Sequence, residues 1–256
     1  MNGLQNIEVL ILAAGLGRRL GNVTATTPKC LLDVHGESLL ERSLRSIRTQ
    51  GARSVTIVTG YRRQDIENYI GASETREMTF TLRYNPRFKE GGSASSLSVG
   101  LNEVAAGRSV LLLESDLLYN PEFLLRALRC TESTVLTAEI SGSNDEVYAY
   151  VDDRGALRRL TKRQEGVPLN LTRAPGEFAG ISLLTPSACE VLRELGAPGV
   201  TGDYEDLLVG LSAHAPVGVK HCPGLTWCEV DTVADLRRAR MQAMIPFITQ
   251  DSPVPI

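Results

Sequence analysis

Uninterrupted apolar runs alternate with amphipathic stretches along the first half of the chain. The first run is Val9-Leu10-Ile11-Leu12, and its lack of polar positions is typical of a strand buried on both faces. The pattern recurs and predicts strands near residues 8–13, 54–59, 79–84 and 109–113, with helices near 37–50, 63–70 and 94–105. This alternation predicts βαβ units, and therefore an α/β fold with a doubly wound, mostly parallel sheet of the Rossmann-like type.

The pattern changes after Asp116, where the apolar runs become shorter. Strands are predicted at 133–139, 147–152, 157–162, 178–184 and 225–230, and a helix is predicted to start near Val233. The tripeptide Asp153-Arg154-Gly155 is typical of a turn between two of these strands. We therefore expect one domain over residues 1–248, with two halves that divide near residue 116, and a loose tail at 249–256.

Composition narrows the classes of protein. The 256 residues are 43% apolar, which is enough to bury the core of one large domain without metals or disulfides. Five cysteines occur without Cys-x-x-Cys spacing, and the odd number argues against a disulfide framework. The net charge of −3 excludes a generally basic surface, so we expect no nucleic-acid partner.

The N-terminus and the apolar runs bear on location. The segment MNGLQNIEVL has neither the basic nor the long apolar region of a signal peptide, and no segment reaches about eighteen apolar residues. Together with the unpaired cysteines, these features predict a cytoplasmic protein without a membrane partner. They do not decide the oligomeric state, and a homo-oligomer is compatible with them.

The first predicted strand ends in a glycine loop that is followed by cations. In LILAAGLGRRLGNVTATTPK, Gly15 and Gly17 allow a tight turn whose N–H groups can face an anion, while Arg19 and Lys29 supply full charges. Leu20 stands where a dinucleotide fingerprint requires its third glycine, and a Walker loop would need a closing Gly-Lys-Ser/Thr. The loop therefore indicates phosphate binding, with an ordinary turn and solvated arginines as the alternative.

Two aspartates follow later buried strands. Asp116 comes after the run in VLLLESDLLY, and Asp231 comes after the predicted strand in LTWCEVDTVADLRRA. Ligands of parallel α/β sheets bind beyond the carboxyl ends of the strands, and Mg²⁺ prefers one or two carboxylates together with phosphate oxygens. We therefore expect Asp116 and Asp231 to form a magnesium pair. The alternatives are a turn aspartate and a helix N-cap, respectively.

These motifs resemble the signature of the nucleotidyltransferases that make sugar nucleotides and CDP-alcohols. Five stretches are similar, more narrowly, to cytidylyltransferases that act on phosphocholine or phosphonates, and most closely to those that act on 2-aminoethylphosphonate: ESDLLY, SGSNDEVY, GEFAGISLL, TWCEVDTVADLRRA and YNPRFKEGGSASSLSVGL. The resemblance covers about residues 8–240 and implies the nucleotide-diphospho-sugar transferase fold with a small added β region for the acceptor. The stretch GGSASSL departs from the phosphocholine pattern, in which asparagines and aromatic residues are usual.

The resemblance also implies where CTP and Mg²⁺ bind. Arg19 and Lys29 are implied to hold the phosphates, and Asp116 and Asp231 to hold Mg²⁺, so these four are the implied catalytic residues. The implied nucleotide-binding residues lie in the glycine loop and at the third predicted helix: Leu12, Ala13, Ala14, Gly15, Gly17, Gly92, Ser93, Ser95 and Ser96. The implied reaction transfers CMP from CTP to a phosphonate or phosphate oxygen and releases pyrophosphate.

The acceptor requires a cation for its anionic group and, if it carries an ammonium, carboxylates. Lys162 in RRLTKRQ matches the lysine that related enzymes place on the acceptor's phosphate, with a solvated basic edge as the alternative. The other candidate acceptor residues lie in the second half: Glu146, Tyr148, Glu177, Asp203 and Glu205. A trimethylammonium would instead require an aromatic cage, for which the chain offers Tyr148, Tyr150, Tyr204 and Trp227.

We therefore expect a Mg²⁺-dependent cytidylyltransferase whose acceptor is a small phosphonate, with 2-aminoethylphosphonate as the first choice. Phosphocholine and sugar 1-phosphates are the alternative acceptors, and a nucleotide-binding regulatory protein is the non-enzymatic alternative. A regulatory protein of this kind would be expected to lose a phosphate-binding cation or a metal carboxylate, whereas the four implied catalytic residues are all present.

Overall fold

A computed structural model of the protein describes residues 7–72, 78–162 and 166–243. Its strands are β1 (Ile7–Ala13), β2 (Ser54–Thr59), β3 (Thr79–Tyr84), β4 (Ser109–Glu114), β5 (Leu117–Tyr119), β6 (Thr134–Ala138), β7 (Tyr148–Val151), β8 (Leu157–Thr161), β9 (Thr172–Arg173), β10 (Glu177–Leu184), β11 (Gly218–His221) and β12 (Trp227–Glu229). Its helices are α1 (Leu39–Thr49), α2 (Arg63–Ala72), α3 (Gly92–Leu101), α4 (Glu122–Leu128), α5 (Pro186–Leu195), α6 (Tyr204–Leu211) and α7 (Val233–Ala243). None of these helices has the length and apolar composition that crossing a membrane requires.

Seven strands form the central sheet of the described residues, in the order β11-β6-β10-β4-β1-β2-β3. The pairs β1–β2, β1–β4, β2–β3 and β6–β11 are parallel, whereas β10 runs antiparallel to both β4 and β6. The predicted mostly parallel sheet is therefore confirmed. The reversed direction of β10, which the apolar pattern does not predict, brings its first residues to the edge where the parallel strands end.

Strand β1 explains why its sequence is an unbroken apolar run. Val9 and Ile11 pack on one face of the sheet in a core that includes residues of α1, α2 and α4. Leu10 and Leu12 pack on the other face with residues of α3, α5 and α6. Because successive side chains of a strand point to opposite faces, a strand covered by helices on both sides needs apolar residues at every position.

Local hydrogen bonds set where two helices begin. The Glu41 backbone N–H donates to the Ser38 hydroxyl at 3.1 Å, so α1 begins directly after Ser38. The Ala188 N–H donates to the Thr185 hydroxyl at 3.4 Å, and α5 begins with Pro186. In both cases a side-chain oxygen satisfies a backbone donor that the helix itself leaves unpaired.

Two smaller sheets lie outside the central sheet. Strands β7, β8 and β9 form an antiparallel sheet in the order β8-β7-β9, which confirms the expected small additional β region. The strand expected at 225–230 is β12, and it pairs antiparallel with β5. The pattern analysis predicts no element for the stretches that form β5, β9, β11, α4, α5 and α6.

A third apolar cluster connects the segment after the glycine loop to the last helix. Leu20 and Leu32 pack there with Leu118, Val230 and Leu236. The residue that follows Val230 is Asp231, so this cluster holds Asp231 beside the glycine loop.

Candidate active site

A cleft of about 330 Å³ opens where β1 and β4 end. Among the predicted nucleotide-binding residues, those that line it are Leu12, Ala13, Ala14, Gly15, Gly17, Gly92, Ser93 and Ser96. The cleft thus combines the glycine loop with the first turn of α3. Its position beyond the carboxyl ends of parallel strands is the usual place for a ligand in an α/β sheet.

Ser95 is the exception, and it lies outside the lining of this cleft. Its hydroxyl accepts a hydrogen bond from Asn85 Nδ2 at 2.8 Å and donates to the Gly92 carbonyl at 3.0 Å. The residue is buried, and both contacts are internal to the protein. Ser95 therefore makes its contacts at the start of α3, and its role in nucleotide binding stays a prediction.

A chain of ion pairs runs through the site. The Lys29 ammonium contacts the carboxylates of Asp116 and Asp231. The Arg19 guanidinium contacts Asp231 and also Asp145, a residue of the second half of the chain. The four implied catalytic residues thus lie together, although they come from four separate segments of the sequence.

The ion pairs determine the protonation of their members. Burial alone would lower the pKa of Lys29, but the neighbouring Asp116 and Asp231 raise it well above its usual value. Burial opposes ionisation of Asp231 as well, yet Lys29 and Arg19 hold its pKa below the usual value. Lys29 is therefore a cation and Asp231 an anion at neutral pH.

Three carboxylates form a cluster beside Lys29. Carboxylate oxygens of Glu114, Asp116 and Glu229 lie within 4.8 Å of one another, and the buried Asp116 Oδ1 has no hydrogen-bond partner. Desolvation and the neighbouring carboxylates raise the pKa values of Glu114 and Glu229. An all-oxygen set with an unpartnered oxygen fits a hard divalent cation such as Mg²⁺. The cluster contains Glu229 where the predicted metal pair has Asp231, so the metal role of Asp231 remains a prediction.

Gly180 of β10 makes room for Glu114. It has a φ of +68°, and a Cβ atom there would lie 2.6 Å from Glu114 Oε2. We expect G180A to lower the free energy of unfolding by about 3 kcal/mol, because strain and a clash add. G155A is the matched control, since Gly155 has a φ of +77° with open space around the added carbon, and it should cost about 1 kcal/mol. Urea unfolding measures both, and equal losses would contradict the clash.

A second, smaller cleft of about 60 Å³ adjoins the first. The two clefts share Arg19, Glu114, Glu229 and Asp231. Of the predicted acceptor residues, those that line the second cleft are Glu146, Lys162, Glu177 and Glu205. Its lining is rich in carboxylates, and we call it the acidic cleft.

Two predicted acceptor residues, Tyr148 and Asp203, lie outside both clefts. The guanidinium of Arg173 stacks on the Tyr148 ring at 4.8 Å from its centre, so this ring packs within the three-stranded sheet. Asp203 is exposed at the residue before α6. Their roles in acceptor binding stay predictions, because neither side chain is among those that line the clefts.

Glu177 is the most buried acid of the acidic cleft. The residue is 1% exposed, and its Oε1 accepts a hydrogen bond from the Ser141 backbone N–H at 3.1 Å. Its Oε2 is buried without a partner. Burial raises the pKa of Glu177 to about 7. An unsatisfied buried oxygen of this kind is costly unless a ligand supplies a donor.

The aromatic cage that a trimethylammonium would need is not assembled in the described residues. Of its four candidates, Trp227 lines the acidic cleft, and Tyr204 lines the first cleft. Tyr148 and Tyr150 lie in β7 and line neither. The Trp227 indole N–H donates to the Ala179 carbonyl at 2.9 Å, which fixes this ring in the wall.

Several charged residues of the two clefts were not predicted, among them Glu114, Glu229 and Asp145. Glu114 and Glu229 each stand two positions before a predicted aspartate, at the end of β4 and β12. Because alternate residues of a strand share a face, this spacing is a signal that could have identified them. Asp145 lies between β6 and β7, and its only sequence signal is its place in the stretch SGSNDEVY.

A glycine loop, the largely buried Lys29, the half-exposed Arg19 and a carboxylate cluster at the edge of a mostly parallel α/β sheet are typical of a nucleotidyltransferase site. Residues 9–174 match the family model described as the MobA-like NTP transferase domain. The chain therefore belongs to this family of nucleotidyltransferases.

Curated relatives of the chain include two proteins named as cytidylyltransferases. The chain is 30% identical over 237 residues to the bifunctional IPC transferase and DIPP synthase of Rubrobacter xylanophilus, which covers 92% of this chain and 51% of that protein. It is 28% identical over 189 residues to the choline-phosphate cytidylyltransferase of Haemophilus influenzae, covering 74% and 73%. It is 27% identical over 158 residues to the 2-aminoethylphosphonate cytidylyltransferase of Lancefieldella rimae, covering 62% of each chain. The chain thus spans about half of the first of these relatives.

A solved structure supports the fold. The inositol-1-phosphate CTP transferase from T. maritima superposes with a TM-score of 0.76 at 18% identity, covering 95% of this chain and 97% of that chain. At this identity the similarity establishes the architecture, and it agrees with the expected nucleotide-diphospho-sugar transferase fold.

Proposed function

We propose that the protein transfers CMP from CTP to a small phosphonate, with 2-aminoethylphosphonate as its acceptor, and releases pyrophosphate. The observation that carries this proposal is the junction of the two clefts. The first cleft contains the glycine loop, Lys29 and the carboxylate cluster. It shares four charged residues with the acidic cleft, which is lined by further carboxylates and by Lys162. A nucleotide and a charged acceptor can therefore meet at Arg19 and Asp231.

The chemistry places few demands on the protein. A phosphonate oxygen attacks the α-phosphorus of CTP, a new P–O bond forms, and the bond to the β-phosphate breaks so that pyrophosphate leaves with its electrons. The attacking oxygen is already negative near neutral pH, so no general base is required. Arg19 and Lys29 neutralise charge on the phosphates, and the two adjoining clefts hold the reactants in line.

We assign the metal site to Asp116 and its neighbours. Asp116, with Glu114 and Glu229 or the nearby Asp231, would hold Mg²⁺. When bound, Mg²⁺ would neutralise phosphate charge close to the reacting phosphorus.

The described cysteines are all free, which supports the proposal that the protein works in a reducing cytoplasm.

We expect CTP to be preferred over purine nucleotides. Ser93 and Ser96, with their small hydroxyls, line the first cleft together with Gly92 and Phe88. Such a lining suits a pyrimidine edge better than a larger purine. Pyrophosphate release with CTP, UTP, ATP and GTP, each at the same concentration, measures the preference. Equal rates with all four nucleotides would contradict the cytidylyl assignment.

Glu177 supports an acceptor with a primary ammonium. Its unpartnered Oε2 needs a hydrogen-bond donor, and an ammonium supplies one, whereas a trimethylammonium has none. Lys162 lines the same cleft and would contact the phosphonate at the other end of the molecule. The absence of an assembled aromatic cage among the described residues counts in the same direction.

The acceptor is tested with 2-aminoethylphosphonate, a hydroxyalkylphosphonate, phosphocholine and inositol 1-phosphate, the last because of the acceptor named for the T. maritima structure. We expect the highest kcat/KM with 2-aminoethylphosphonate. E177Q should lower that value by about 10-fold and change the phosphocholine value less, because a neutral amide forms a weaker hydrogen bond with the ammonium than a carboxylate does. E139Q is the control, since Glu139 is exposed and lies outside both clefts.

Each other outcome of this comparison is informative. A higher kcat/KM with phosphocholine or inositol 1-phosphate would keep the chemistry and replace the acceptor. Equal losses in E177Q for every acceptor would remove Glu177 from ammonium recognition. No pyrophosphate release with any acceptor would favour a nucleotide-binding regulatory protein.

A further inference from the structure

Each cation that lines the acidic cleft in the described part of the chain is already paired with a carboxylate. Lys162 Nζ lies 2.7 Å from Asp145 Oδ1, and Arg19 contacts Asp145 as well as Asp231. Arg238 lies 2.7 Å from Asp235. An anionic acceptor that enters this cleft therefore has to replace a carboxylate that belongs to the protein.

The carboxylates differ in how firmly they are held. The side chain of Asp235 is 6% exposed, and its Oδ2 accepts hydrogen bonds from the N–H and the hydroxyl of Thr232, both at 2.8 Å. The side chain of Asp145 is 33% exposed and lies in the segment between β6 and β7. Its described partners are the two cations, Lys162 and Arg19. Asp145 is therefore the carboxylate that an anion displaces most easily.

The energetics allow such an exchange. Lys162 and Arg19 are about half exposed, and ion pairs between exposed groups contribute little to stability. A phosphonate can carry a second negative charge and offers three oxygens to the two cations, whereas a carboxylate has one charge and two oxygens. A phosphonate with two charges therefore binds the two cations more strongly than the carboxylate of Asp145 does. An anion with one charge only replaces one singly charged group by another, so its binding to the cations is little stronger than that of the carboxylate.

We propose that Asp145 is a resident competitor for the phosphonate group of the acceptor: its carboxylate occupies the place between Lys162 and Arg19 that the phosphonate takes. This inference rests on the proposed function, because it takes Lys162 as the ligand of that group. Asp145 then sets the affinity of the acceptor. Since tighter ground-state binding lowers KM without raising kcat, D145N should lower the KM of the acceptor and leave kcat no higher.

Methylphosphonate is the probe, because it carries the anionic group without an amine and its binding is read without turnover. Titration followed by phosphorus NMR, at constant ionic strength and without CTP, gives its Kd for each variant. We expect D145N to bind about 5-fold more tightly than the wild type and K162M to lose binding. E103Q is the matched control, since Glu103 pairs with the half-exposed Arg83 at 2.6 Å outside both clefts and loses the same charge. Its Kd should equal that of the wild type.

Three results would overturn the inference. Equal or weaker binding by D145N would mean that Asp145 holds the cations in place. An equal gain in E103Q would assign the effect to net charge, and no saturable binding to any variant would mean that the anion site does not exist. If the acceptor panel shows no CMP transfer while D145N still binds the probe more tightly, only the proposed function fails. If transfer occurs and D145N behaves like the wild type, only this inference fails.

Discussion

Replacing Asp116 by Asn is expected to lower kcat/KM for pyrophosphate release by about 10²- to 10³-fold, and D231N is expected to do the same. Asp116 combines an unpartnered buried oxygen, two neighbouring carboxylates and an ion pair to Lys29. Without its charge Asp116 would hold Mg²⁺ less firmly, and the negative charge that develops near the α-phosphate would lose its counter-charge. A coupled pyrophosphate assay with CTP and 2-aminoethylphosphonate over a range of Mg²⁺ concentrations measures the effect.

The matched control is E8Q. Glu8 lies in β1 with a side chain about as buried as Asp116, and it pairs with Arg108 and Ser54 at the opposite end of the sheet. E8Q should keep near-normal activity, and thermal unfolding should show that D116N and D231N remain folded. Near-normal turnover of either aspartate variant at saturating Mg²⁺ would remove that residue from the site.

The second large effect is expected for K29M. Lys29 is 12% exposed at its side chain and contacts both Asp116 and Asp231, so its loss leaves two carboxylates facing each other. Removing one partner of a buried ion pair is strongly destabilising, and we expect the free energy of unfolding to fall by about 3 kcal/mol without Mg²⁺. We also expect kcat/KM to fall by about 10²-fold, because Lys29 lines the first cleft and is proposed to neutralise charge on the phosphates.

A double variant separates these two roles of Lys29. K29M/D116N removes one of the facing carboxylates and should regain part of the stability, while activity stays lost. K220M is the control for loss of a lysine, because Lys220 lies in the edge strand β11 outside both clefts. If K29M were as stable and as active as K220M, the contacts of Lys29 with both aspartates would have no energetic role.

The central sheet could be predicted because burial leaves a local trace. Each residue of Val9-Leu10-Ile11-Leu12 packs on one face of the sheet or the other, so the run contains no polar residue and can be recognised in the sequence. The direction of a strand leaves no such trace, since an apolar run buried on both faces reads the same either way. The antiparallel course of β10, and with it the position of Glu177 near Glu114, therefore follows only from the folded chain.

The same distinction, between residues with a local sequence signal and residues placed by the folded chain, applies to the candidate site. Arg19 and Lys29 could be predicted, because they follow a glycine loop whose spacing is local to the sequence. Asp145 could not, because its role depends on where the segment between β6 and β7 places it relative to Arg19. Tyr148 shows the opposite case: its residue type suited an acceptor, but its position within β7 directs the ring to Arg173.

The segment that supplies Asp145 and Lys162 leaves and rejoins the central sheet at one place. Ala138, the last residue of β6, pairs with Glu177, the first residue of β10, so the segment between β6 and β10 begins and ends at neighbouring positions of the sheet. Gly176 closes it, since a Cβ atom there would lie 1.8 Å from the Ala138 carbonyl oxygen. A connecting segment whose two ends are neighbours in the sheet can be replaced by a segment of another length while the strands keep their register. Replacing this single segment would therefore change the part of the acidic cleft that Asp145 and Lys162 supply, while Glu177 of β10 and the residues of the first cleft stay in place.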